Sequence, residues 1–191
     1  RWVMPTAEHH DGYSLWDSRV NPFNSVRTGP KRDIIGQLAH AVRAEGLKFG
    51  VTNHTIEHYD FIETQNIPAN VPTDLATPEF RDFYWTDHSP ERLRRHLANW
   101  ITRNIELIDQ YEPDLLWFDN GVNHRMFDPL KLQVAAYYYN RANQWNKEVT
   151  ITGKGTSFAA GALQDFEDMQ RAPQRPTDFP WMVHDRLIET W

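Results

Sequence analysis

The stretch Asp114-Leu115-Leu116-Trp117-Phe118-Asp119-Asn120-Gly121 decides how the rest of the chain is read. Its apolar run ends in a carboxylate and an Asn-Gly pair, the pattern of a short buried strand stopped by a turn. In a parallel sheet capped by helices, such a strand leaves Asp119 at its C-terminal end, where α/β proteins place catalytic groups. The other reading is that Asp119 merely starts the turn.

Upstream of this strand, Ser89-Pro90-Glu91 supplies an N-cap, an N1 proline and a first-turn acid. Leu93, Leu97, Trp100, Ile101, Ile105 and Ile108 then predict one apolar helix face, ending near Tyr111 before Pro113. An earlier helix is expected over Asp33 to Glu45, with Ile34, Ile35, Leu38, Ala41 and Val42 at helical spacing and Gly46 as its stop. Leu47-Lys48-Phe49-Gly50-Val51-Thr52 follows as a strand. Between these units, residues 59–88 show little periodicity and read as one long loop, a length that usually carries function. Downstream, a helix is expected from about Pro129 to Trp145, and strands at Val149-Thr150-Ile151-Thr152 and near 161–166. Trp2-Val3-Met4 reads as the end of a strand that gives way at once to Pro5 and a charged cluster, the opening expected of a fragment.

Alternating strands and helices imply a parallel sheet with right-handed crossovers. A complete (β/α)8 barrel takes roughly 250 residues, so a chain of 191 residues is expected to form an incomplete (β/α)8 TIM-like barrel. Composition narrows the partners. The net charge of −6 argues against nucleic acid or an anionic membrane surface. No apolar run reaches membrane-spanning length, and residues 1–25 show no signal-peptide pattern. Without cysteine there is neither a disulfide framework nor thiol chemistry. Eight Trp, seven Tyr and ten Phe suit either sugar stacking or an ordinary core.

Three constellations could carry chemistry. His54-Thr55-Ile56-Glu57-His58 fits the H-x-x-E-H zinc-peptidase pattern, but that motif needs a helix and His54 follows directly on a strand. The zinc-peptidase reading of His54, Glu57 and His58 is therefore kept only as a minor alternative. His9-His10-Asp11-Gly12 cannot turn both imidazoles into a core, so at least one is expected above the sheet. Spacing alone shows no third ligand to make that pair a metal site. Finally, Asp165-Phe166-Glu167-Asp168 follows a candidate strand and could complement Asp119, since glycoside hydrolysis needs two carboxyl groups.

Taken together, Glu8-His9-His10-Asp11-Gly12-Tyr13 and Trp16-Asp17-Ser18 resemble the "HHDGF…LWDS" segment of glycoside hydrolase family 29, the α-L-fucosidases. Asn24-Ser25-Val26, Thr28-Gly29-Pro30-Lys31-Arg32-Asp33, Gly46-Leu47-Lys48-Phe49-Gly50 and Tyr111 to Asp119 continue the resemblance in order, and Asp165-Phe166-Glu167 with Pro180-Trp181 extends it. The resemblance implies a retaining exo-glycosidase that removes terminal α-L-fucosyl residues through a covalent intermediate. Asp119 matches the nucleophile and Glu167 the acid/base. His9, His10, Trp117, Asn53, Lys154 and Trp191 fall at substrate-binding positions. No cofactor or metal is implied. The partner is a fucosylated oligosaccharide or polysaccharide, and a secreted, periplasmic or lysosome-like compartment is the family expectation. Residues 1–191 would then be a partial catalytic barrel without its first strand, last strands or C-terminal β-sandwich. The chain departs from the family at Glu8, where lysine is common, at Thr52-Asn53-His54-Thr55 in place of a Tyr/His-Ser-Leu stretch, and at Gly153-Lys154-Gly155. A non-catalytic carbohydrate-binding barrel of the same family is the alternative.

Overall fold

The computed structural model describes residues 1–56, 73–75, 77–84, 89–119, 121–123, 125–155, 157–158, 162–166 and 172–183. In chain order these form β1 (Trp2–Val3), β2 (Thr6–Glu8), α1 (Ile34–Ala44), β3 (Lys48–Asn53), α2 (Pro90–Tyr111), β4 (Leu115–Phe118), α3 (Asp128–Trp145), β5 (Thr150–Lys154), β6 (Leu163–Phe166) and β7 (Trp181–Val183). Helical turns at Pro78–Phe80 and Arg81–Tyr84 interrupt the segment expected to be one long loop.

Among the described residues the pairings between these strands are parallel, in the order β1-β3-β4-β5-β6-β7, and β2 also pairs with β3. β1 and β2 occupy successive stations along β3: Val3 lies opposite Phe49, and Thr6 opposite Thr52. The first strand thus continues past Met4 to Glu8, four residues beyond the expected end. Pro5 lacks an N–H, but its carbonyl accepts the Thr52 N–H at 3.1 Å, so the ladder survives the proline. β7 was not foreseen; its three residues are too few for periodicity to register.

The caps follow the residues expected of them. Asp33 accepts the Gly36 N–H at 2.8 Å and Ser89 accepts the Arg92 N–H at 3.3 Å. Gly46, at φ +68°, supplies the left-handed turn from α1 into β3. The buried faces differ from the periodicity. In α1 it is Ile35, Ala39 and Val42 that face inward, while Leu38 is exposed. In α2 the stripe Arg92, His96, Trp100, Arg103, Leu107 and Tyr111 is buried, so the inner face is partly polar rather than purely aliphatic.

Side chains alternate across the sheet. Phe118 packs on Trp100 of α2, with ring centroids 5.7 Å apart, and the Arg43 guanidinium of α1 lies 5.5 Å from the Phe49 ring. Phe49, Val51, Leu116, Phe118 and Ile151 thus belong to the core under the helices, with Trp16, Leu107, Ile108 and Tyr138. The other face is concave. Trp117 of β4 reaches Asp165 of β6, and their backbones are two strands apart, roughly 10 Å in a flat sheet. Gly50 sits on this crowded side: a Cβ there would lie 3.0 Å from the Leu115 carbonyl and 3.2 Å from Met4 Cγ. The strands curl into a half-barrel, the incomplete (β/α)8 architecture expected from the sequence.

Candidate active site

Asp119 follows β4 directly, and its N–H still reaches the Asn53 carbonyl, at 3.5 Å. The strand ladder therefore carries the residue to the sheet's C-terminal rim. Its side chain is 4% exposed and gathers groups from three other strand ends. Oδ1 lies 2.7 Å from Lys154 Nζ, at the end of β5. Oδ2 lies 2.6 Å from His54 Nδ1, just past β3, and 3.4 Å from His10 Nε2, just past β2. A buried carboxylate keeps its charge only when paired and hydrogen-bonded. Here the Lys154 ammonium supplies the pairing, with the His54 imidazole in close contact on the other oxygen.

The imidazoles of His9, His10 and His54 are packed together. His9 stacks on His54 at 4.4 Å between centroids, and His10 meets His9 edge-on at 4.4 Å. Burial, reinforced by the neighbouring imidazoles of His9 and His54, pushes the His10 pKa down to about 4. Burial and then His54 lower that of His9 as well. Both rings are thus neutral at physiological pH and offer one donor and one acceptor each, the complement of sugar hydroxyls. Trp117 closes the group: its ring lies 5.1 Å from His54 and 5.8 Å from Lys154 Nζ, and its indole N–H donates to buried Asp165.

A second buried carboxylate holds this arrangement from behind. Glu8 is fully buried and pairs with Arg103 of α2, while accepting from Ser14 Oγ at 2.6 Å and Thr55 Oγ1 at 2.8 Å. Glu8 immediately precedes His9-His10, and Thr55 immediately follows His54. One carboxylate therefore ties both histidine-bearing segments to each other and to α2. This accounts physically for glutamate at a position where the family commonly has lysine.

Of the residues singled out in the sequence, the structure gathers Asp119, His9, His10, Trp117 and Lys154. The Asn53 side chain turns elsewhere: its Oδ1 accepts the Thr55 N–H at 2.9 Å, and only its backbone carbonyl meets Asp119 among the described contacts. Its Nδ2 is a buried donor without a partner among the described residues. Glu167 and Trp191 lie outside the described residues, as do Glu57 and His58. His54 belongs to this cluster; it stands past a strand end, with Thr52 Oγ1 at 3.2 Å from its Nε2, and a helical turn opens behind it at Thr55 and Ile56. The signal that finds it is strand parity, since Thr52 and His54 share the concave face. Asp165, named in the sequence only as part of an acidic cluster, proves to be a buried partner of Trp117. Among the described residues, His9, His10 and His54 are the one group of side chains close enough to share a metal ion.

The alpha-L-fucosidase family model matches residues 1–191. An alpha-L-fucosidase of Dictyostelium discoideum is 30% identical over 205 residues, covering 91% of this chain and 42% of that protein. A solved alpha-L-fucosidase superposes with a TM-score of 0.67 at 29% identity, covering 95% of this chain and 37% of its own. Thermotoga maritima alpha-fucosidase in complex with fucose gives a TM-score of 0.56 at 29% identity, over 87% of this chain and 37% of its own. The chain thus spans less than half the length of each of these relatives. With a family model matching along its whole length, the chain belongs to the alpha-L-fucosidase family.

Proposed function

We propose that the protein is a retaining exo-α-L-fucosidase, with Asp119 as its nucleophile. The observation that carries this reading is a carboxylate held at a strand end by Lys154 and His54, under a wall of neutral imidazoles and Trp117. One oxygen of Asp119 attacks the anomeric carbon of a terminal fucosyl unit as the glycosidic C–O bond breaks. A carboxylic acid, which we assign to Glu167, passes its proton to the departing oxygen. The same group then takes a proton from water, whose oxygen attacks the anomeric carbon. That attack releases fucose of retained configuration and returns Asp119 as a carboxylate. His9 and His10 bind sugar hydroxyls, Trp117 lines the ring, and Trp191 packs against the sugar's methyl face. The ammonium of Lys154 stabilises charge on the nucleophile before attack and after release.

The substrate is a fucosylated oligosaccharide or polysaccharide, met in a secreted, periplasmic or lysosome-like compartment. Among the described residues no helix is long and apolar enough to cross a membrane. The remaining barrel strands and a β-sandwich belong to the rest of the protein in this reading.

The test is turnover of an aryl α-L-fucoside by the full-length protein. Asp119→Gly should abolish it, and azide should restore release of the aryl alcohol, with the sugar recovered as the β-fucosyl azide. Binding of fucose without turnover by the unaltered protein would overturn the hydrolase reading in favour of a carbohydrate-binding barrel.

A further inference from the structure

We infer that His9, His10 and His54 form a binding site for a divalent transition ion of the zinc class, and that an ion bound there competes with the sugar. One ring nitrogen from each residue lies within 4.8 Å of the others. Zinc–imidazole bonds are about 2.0–2.1 Å long, so a tetrahedral ion would draw the three nitrogens to roughly 3.3 Å of one another. His9 is exposed and can make most of that adjustment. Three imidazole ligands with one open position make an exchangeable site, not a sealed one.

The electrostatics divide in favour of the site. Lys154 sits against Oδ1 of Asp119, whereas His10 and His54 both address Oδ2. The cation thus occupies one side of the carboxylate, and the other side turns its negative charge toward the imidazoles. Ligating histidines commonly have a carboxylate near their second nitrogen, and Asp119 Oδ2 lies 2.6 Å from His54 Nδ1. The third ligand also falls in the Thr52–Thr55 stretch that departs from the family's Tyr/His-Ser-Leu, so the trio depends on this chain's own sequence.

Metal binding rests on side-chain geometry alone; competition with fucose rests also on the proposed fucosidase reading. The test uses tag-free full-length protein stripped with chelator. Cobalt(II) is titrated by visible absorption and zinc(II) by calorimetry. One equivalent should bind, with the intense visible band of a four-coordinate cobalt centre. His54→Ser and the surface variant His9→Gln should each weaken zinc binding at least about tenfold, the scale on which losing even an outer partner acts. His40→Gln, altering the exposed histidine of α1, should leave it unchanged. Saturating L-fucose should raise the apparent zinc Kd. Absence of a cobalt band and of zinc heat at millimolar metal would overturn the site, as would wild-type affinity in both histidine variants. Zinc binding indifferent to fucose would overturn the competition. Hydrolysis of the aryl fucoside in chelator reports on the fucosidase reading separately from any of these outcomes.

Discussion

Asp119 and Glu8 are both buried carboxylates beside a cation, yet they are built for opposite ends. Glu8 is sealed between the sheet and α2, where Arg103, Ser14 and Thr55 meet its oxygens. Two of those partners are hydroxyls with little reason to leave. Asp119 stands on the open rim, and the groups on it come from three separate strand ends: His10, His54 and Lys154. Those groups can exchange partners when a ligand enters. Burial with a cation is therefore common to both carboxylates, and it is placement on the concave rim among titratable side chains that singles out Asp119 for the proposed role.

The sharpest separation of the two comes from removing each charge. Asp119→Asn should lower kcat on an aryl fucoside by at least about 10³-fold, roughly 4 kcal/mol of activation free energy, while the melting temperature stays near that of the unaltered protein. Arg103→Met should do the reverse in kind. It leaves Glu8 charged, buried and unpaired, a change that costs about 3–5 kcal/mol of stability. Urea unfolding measures that loss, and Glu8→Gln combined with Arg103→Met should recover much of it. If Arg103→Met were to abolish turnover with the unfolding midpoint unmoved, Glu8 would belong to the reacting site and the contrast would fail.

The ease of reading these two carboxylates from sequence differs for the same reason. Asp119 is announced by its own neighbours: four apolar residues, then a turn, so local pattern and strand parity suffice. The caps at Asp33 and Ser89 and the stop at Gly46 were legible in the same way. Glu8 and Arg103 look like solvated charges, because each finds its reason 95 residues away. Trp16 and Glu106 are separated by 90 residues and were equally hidden, which is why the inner face of α2 reads as aliphatic in sequence and is partly polar in the fold. His54 was obscured differently. A five-residue helical motif competed with the simpler fact that the residue follows a strand by one position.

Lys154 tests whether the partners of Asp119 act in the reaction or only in the resting state. Lys154→Met should reduce kcat about 10²-fold, the scale on which one preorganised electrostatic group acts, with a smaller change in KM. Lys154→Arg should recover part of the rate, since it restores charge without the ammonium's geometry. Equal loss in the two variants would mean that position, and not charge, is what Asp119 requires.

The smallest effect is expected from pH, and it reads the histidines of the rim. His10 titrates near 4 in the folded protein, against an ordinary value of 6.5, and His9 is also lowered. Between those pH values the unfolded chain binds protons that the folded chain refuses. Stability therefore rises with pH across this window and falls as pH is lowered from 6.5 toward 4. Between pH 7 and pH 5 the His10 contribution should be about 1–2 kcal/mol. Urea midpoints in chelator-containing buffer measure it, and His10→Gln should flatten the slope. A slope unchanged by His10→Gln would show that the rim histidines take up protons freely, and that the neutral sugar-facing wall exists only above their ordinary pKa.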